Sequence, residues 1–185
     1  MNISASSLSL PPHVRQRLIA AETRIPEIFA GAGNAFLLDR PLLALIASRS
    51  CPGSIILQTI ERVPQWIAAG KVIISGFHSP LEQQALRSIL RRNGRVIKVL
   101  ARGLISYRTI FFEEREALEE GTMLVISAFP PTVPRTTRAT ALERNRLVLA
   151  LATEHYIPWL SHDSPLQDLL GSSCILTKCR EKCRE

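Results

Sequence analysis

The sequence predicts a three-layer α/β fold: a mainly parallel sheet covered by helices on both faces. Three observations carry that prediction. Apolar runs at residues 42–47, 71–75, 95–100 and 123–126 are nearly continuous, as strands buried on both sides are, and lack the polar–apolar alternation of a half-exposed strand. Each of the first three is followed by a segment of helical length before the next run begins, the order that builds parallel sheets. The chain has 185 residues, 46% hydrophobic and 21% charged, which is enough apolar material for the core of one domain.

Taken in order, residues 1–10 are rich in serine and are expected to be mobile. Pro11 and Pro12 then open a short amphipathic helix to about Thr23, with Val14, Leu18 and Ile19 apolar and Arg15, Arg17 and Glu22 polar. Irregular chain is expected from there to Pro41. Residues 42–47, Leu-Leu-Ala-Leu-Ile-Ala, form the first core strand, a helix covers 54–69, and the strand at 71–75 is closed by Gly76. Residues 80–93 read as a helix with Leu81, Ala85, Ile89 and Leu90 on one side and Gly94 as its cap. A third strand at 95–100, an acidic helix at 111–120 and a fourth strand at 123–126 follow. Pro130, Pro131 and Pro134 keep residues 129–140 from being helical, so this stretch is expected as an exposed loop. Helix returns at 141–153, residues 156–160 suit a short last strand, and 164–170 a helical turn. The expected organisation is an arm and short helix at 1–24, a single α/β domain at 25–172, and a basic tail at 173–185. That tail holds or adjoins Cys174, Cys179 and Cys183; their spacing matches no common zinc site, and with Cys51 they read as reduced thiols.

Charge is unevenly distributed. The formal net charge is +7, and residues 41–110 alone carry ten basic side chains against Glu61 and Glu82. Nineteen of the 23 basic residues are arginine, whose planar guanidinium suits bidentate phosphate contact and stacking on bases. Nucleic acid or a nucleotide is the partner that this pattern favours. No apolar run reaches the roughly 18 residues of a membrane-spanning helix, and residues 1–12 lack the layout of a signal peptide, so a cytoplasmic location with no membrane partner is expected.

In parallel sheets, ligands collect beyond the carboxyl ends of the strands. Those ends supply Ser48, Arg49, Ser50 and Gly53, then Ser75 and Gly76 with His78, then Arg102, then Ser127. Small hydroxyls, glycines and arginines let backbone N–H groups and guanidinium groups approach an anion closely. His78 and Glu82 stand at helical spacing, either as an acid/base pair or as a polar contact at a helix start. No phosphate-binding P-loop is present, and Gly31-Ala-Gly33 lacks the third glycine of a dinucleotide fingerprint.

The order of these residues is that of a known family. Ile25-Pro-Glu-Ile-Phe29, Gly33-Asn34, Leu37-Leu38 and Ser48-Arg49 are followed by Ile73-Ile-Ser-Gly76, Gly103-Leu104, Tyr107, Ser127 and Arg144-Asn145-Arg146. This series, spanning about residues 25–152, resembles the DNA-processing protein A family. The resemblance implies a Rossmann-like fold whose positive pocket binds single-stranded DNA and helps load the RecA recombinase, without catalysis or a cofactor. A homodimer is left open. By this resemblance the phosphate-binding set is Ser48, Arg49, Ser50, Gly53, Ser75, Gly76, Arg102, Arg144, Asn145 and Arg146. Arg49, Arg102, Arg144 and Arg146 are expected to face the ligand, and Asn145 to tie neighbouring backbone together. Ala141-Leu142 replaces the family's Phe-Pro, which removes an aromatic platform for base stacking. The second reading is a nucleotide-binding or nucleotide-cleaving protein of the wider lysine-decarboxylase-like Rossmann group.

Overall fold

The computed structural model describes residues 6–21, 29–104, 112–162, 164, 166 and 167. Seven strands form one sheet: β1 (Ser6–Leu8), β2 (Phe29–Gly33), β3 (Leu42–Leu45), β4 (Val72–Ser75), β5 (Arg95–Leu100), β6 (Met123–Ser127) and β7 (Glu154–Tyr156). Their order across the sheet is β1-β2-β6-β5-β4-β3-β7. From β6 to β7 every neighbouring pair is parallel, whereas β1 and β2 are added antiparallel at one edge. The expected mainly parallel α/β architecture is therefore the one observed.

Both faces of the sheet are covered, which explains why its central strands are apolar at nearly every position. Leu42, Ala44, Val72, Ile74, Ile97, Val99, Leu124 and Ile126 point to one face, where they pack with α1 (Pro12–Ala20) and α5 (Arg138–Leu151). Leu43, Leu45, Ile73, Val96, Leu100, Met123 and Val125 point to the other, beneath α2 (Gly53–Ala68), α3 (Pro80–Leu90) and α4 (Phe112–Glu119). The run β3-α2-β4-α3-β5-α4-β6 thus lays successive strands side by side. Helix α5 then crosses the opposite face and returns the chain to β7 beside β3.

The structure departs from expectation at several places. The serine-rich start expected to be mobile joins the sheet from Ser6, and α1 buries Val14 and Leu18 completely. The stretch expected as irregular includes β2, whose Phe-Ala-Gly-Ala-Gly has little strand propensity of its own. It is a strand because of what it pairs with: a Cβ on Gly33, at φ +104°, would lie 2.3 Å from the Met123 carbonyl oxygen, so only glycine fits that approach to β6. Helix α3 ends at Leu90, and the left-handed residue after it is Asn93 (φ +53°), not Gly94. Helix α5 starts at Arg138, inside the stretch expected as loop, because the Thr137 hydroxyl caps the Thr140 N–H and Thr140 reciprocates. The last strand is shorter and earlier than expected, although the Ile46 N–H bonds to the carbonyl of Tyr156, its final residue, and the Ser48 N–H to that of Trp159 beyond it. Residues 22–28, Tyr107, Cys174, Cys179 and Cys183 lie outside the described residues.

Candidate functional site

Four parallel strands end together, and the chain that leaves them builds a cleft. At the end of β3, Ala47 and Ser48 are buried and Arg49 emerges into solvent. At the end of β4, the Ser75 hydroxyl, fully buried, accepts the Phe77 N–H and so folds the turn that presents His78. Phe77 holds this turn at φ +50°, an unusual conformation for a residue with a side chain. At the end of β6, the Ser127 hydroxyl donates to the Arg102 carbonyl and accepts the Phe129 N–H, joining the β5 and β6 turns. The first half of α5 forms the facing wall.

Arg144 is the residue that α5 delivers to the strand ends. It is 6% exposed, and its Nε is a buried polar atom with no hydrogen-bond partner among the described residues. Burial pushes its proton affinity down while the nearby Glu82 carboxylate pulls it up, and a guanidinium stays charged throughout. The guanidinium occupies the space over Gly76: a Cβ there would lie 1.3 Å from Nη1 and 2.0 Å from Cζ. The glycine at the end of β4 is thus required by an arginine some seventy residues later in the chain. Gly76→Ala is expected to expel the guanidinium from this position and to lower anion affinity about as far as removing the arginine does. A titration of the variant with a single-stranded oligonucleotide checks this, and parental affinity would refute it.

Glu82 organises the opposite side. Its Oε1 accepts the Ala47 N–H at 3.0 Å, and its Oε2 accepts the His78 N–H at 2.8 Å and the Ser79 N–H at 3.3 Å. The Ser79 hydroxyl accepts the Glu82 N–H in return, completing a capping box at the start of α3. Of the two sequence readings, the polar contact at a helix start is the one observed. The Ser79-x-x-Glu82 spacing was the available signal for it. His78 presents its ring elsewhere, with Nε2 3.3 Å from Arg49 Nη2, where an unprotonated nitrogen can accept. Its pKa is lowered below the ordinary histidine value by partial burial first, then by Arg144 and Arg49, with Glu82 acting the other way.

Between these walls lies a cavity of about 510 Å³ lined by Arg49, His78, Arg138, Ala141, Arg144 and Asn145, among others. A second, of about 520 Å³, opens beside it and shares His78, Thr136 and Arg144. The sequence-derived set divides accordingly. Arg49, Arg144 and Asn145 meet at the first cavity; Gly76 and Arg102 line the second. Ser48 also lines the first, but its hydroxyl is engaged, accepting the Ser161 N–H at 3.0 Å. Ser75 is spent on its own turn, and Ser50, Gly53 and Arg146 are exposed outside both cavities.

The division of labour expected within Arg144-Asn145-Arg146 is corrected by helix geometry. Residues two apart on a helix point nearly opposite ways, so Arg144 and Arg146 do not share a face. Asn145 makes no side-chain hydrogen bond among the described residues and lines the cavity, so it is no backbone tie. Missed by the sequence reading were Thr136 and Arg138, hidden by the expectation of a longer loop, and Lys98, a cation set among the apolar Val96, Ile97, Val99 and Leu100 of β5.

The model of the family described as DNA recombination-mediator protein A matches residues 9–157. No curated protein matches the sequence. Among solved structures, DNA processing protein A from Helicobacter pylori, studied for its single-stranded DNA binding mode, superposes with a TM-score of 0.69 at 23% identity. That match covers 88% of this chain and 72% of the other. DNA processing protein A from Streptococcus pneumoniae superposes with a TM-score of 0.63 at 21% identity, covering 85% of this chain and 54% of its own. At these identities the likeness is one of fold, and the chain spans about half the length of the second relative. No helix among the described residues is long and apolar enough to cross a membrane.

Proposed function

This chain belongs to the DNA recombination-mediator protein A family, and from that premise we propose that its cleft binds single-stranded DNA through the phosphates, as a binding step without catalysis. The observation that carries the reading is the buried guanidinium of Arg144, with Nε unpartnered, at the point where four strands end. Burying a charge is costly unless something completes its pairing, and a phosphate oxygen at this position would do so. Arg49 and Arg138 stand at the same cavity to hold the phosphate or its neighbour. Family membership supports the further reading that the protein acts in the cytoplasm, handing its strand to a recombinase of the RecA type. Of the phosphate-binding residues read from the sequence, we retain Arg49, Arg144 and Asn145 at the anchor and Arg102 beside it.

Fluorescence anisotropy with single-stranded and duplex oligonucleotides at 50 and 200 mM salt tests the proposal. Three arginine–phosphate contacts predict a slope of log affinity against log salt of about −2 for a single strand. Affinity that does not change with salt, or no binding at the lower salt, would overturn it.

His78 gives the proposal a pH signature. In the free protein its pKa is held below the ordinary value, so the ring is neutral near pH 7. A phosphate beside it offsets the field of Arg49 and Arg144 and raises that pKa, so binding takes up a proton. By linkage, affinity rises as the pH falls from 7.5 through the histidine range and is flat above it. His78→Asn should abolish the rise, and a pH profile unchanged in that variant would count against the placement of the phosphate.

A further inference from the structure

Val96, Lys98 and Leu100 alternate onto the same face of β5, beneath α3 and α4, and the first and last are buried as that face requires. Lys98 is the exception. Its Nζ pairs with Oε1 of Glu114 on α4 at 2.7 Å, and the two side chains are only 14% and 2% exposed. A buried ion pair stabilises less than well-packed apolar residues of the same volume, so stability does not account for it.

What the pair does have is a place on a wall. It lines the 520 Å³ cavity between α3, the end of β5 and the start of α4. Leu86, Leu90 and Leu100 supply the apolar part of that cavity, and Arg87 and Arg91 stand exposed at its edge. Because His78, Thr136 and Arg144 line this cavity and the phosphate cleft alike, the two are neighbouring chambers of one groove.

We infer that the second chamber holds a nucleobase of the strand whose phosphate sits at Arg144. The inference rests on the phosphate reading given above. A base has flat apolar faces for the leucines and an edge of donors and acceptors for an ammonium and a carboxylate set side by side. The sugar–phosphate that follows it meets the exposed arginines. The volume is within the range of small-molecule sites. A bare anion would gain nothing from the leucines, and a purely apolar ligand nothing from the ion pair. Lacking an aromatic at Ala141, the protein thus takes base-dependent affinity from this chamber.

The test compares a twelve-nucleotide single strand with a strand of equal length built wholly from abasic units, each titrated into the whole protein. The parent should prefer the base-bearing strand by about fivefold or more, as removing roughly 40 Å² of apolar base surface from water would give. That ratio should collapse towards one in Lys98→Met/Glu114→Leu, which replaces both partners at once with apolar side chains of similar size. Equal affinity of the parent for the two strands, or a ratio that persists in the folded variant, overturns the inference while leaving the phosphate reading intact. Failure of both strands to bind at low salt removes the phosphate reading and this one with it. Saturable binding of free dAMP, with no base dependence for the strands, assigns the chamber to a free nucleotide and overturns the strand form.

Discussion

Replacing Arg144 with methionine is expected to lower the affinity for single-stranded DNA tenfold or more and to leave the protein melting no lower than its parent. The first half follows from the strength of a charge-assisted hydrogen bond made out of water, about 1.5–3 kcal/mol, a factor of ten or above. The second half follows from what Arg144 lacks. Its Nε is buried and unpartnered, and the fold bears the desolvation of a guanidinium for which the nearby Glu82 supplies only partial compensation. Glu82 does not need the arginine, since its carboxylate accepts three backbone N–H groups. Methionine fills much of the same space over Gly76 without the charge, so the substitution removes a cost that binding alone recovers. Anisotropy and thermal melting of the one variant decide the matter. Retained affinity would remove Arg144 from the binding site; lost affinity accompanied by a marked drop in melting temperature would make it a structural residue.

The parts of this fold that could be read from the sequence are those in which local and tertiary signals agree. Strands β3 to β6 are apolar because two helical layers cover them, and their runs stand out for that reason. The residues just beyond those runs point to the cleft, where Arg49, Gly76 and Arg102 are found, and Arg144, supplied by the family resemblance and not by a strand end, joins them from α5. What was hidden is what depends on a distant partner. Strand β2 is alanine and glycine after Phe29, and its identity comes from β6 on one side and β1 on the other. The need for glycine at position 76 comes from Arg144, which no local pattern around β4 announces. One error had a legible remedy: Arg144 falls in phase with Leu147, Val148 and Leu151, the buried stripe of α5, whereas Arg146 does not. Helical phase, and not sequence adjacency, separates the two arginines.

Glu82→Ala is expected to be the most destabilising substitution around the cleft, costing about 3–5 kcal/mol, a large share of the stability of an ordinary domain. The carboxylate is 5% exposed, and its three acceptor contacts reach Ala47 at the end of β3 and His78 and Ser79 at the start of α3. Alanine leaves three N–H groups without their carboxylate at the wall of the cleft that Ala47, His78 and Ser79 line, where water replaces a charged acceptor only in part, and it also breaks the capping box with Ser79. Glutamine separates the contributions. Its oxygen can still accept on one side, but its NH2 group then faces a backbone donor on the other, so Glu82→Gln should lose about half as much. Because Ala47 immediately precedes Ser48-Arg49, loosening it also frees the loop that carries Arg49 to the cleft, and affinity should fall in the same order as stability: parent, Gln, Ala. Urea titration of the three proteins, followed by anisotropy at a temperature where each is folded, measures both. If Glu82→Ala is within 1 kcal/mol of the parent, the carboxylate is not what joins the end of β3 to the start of α3.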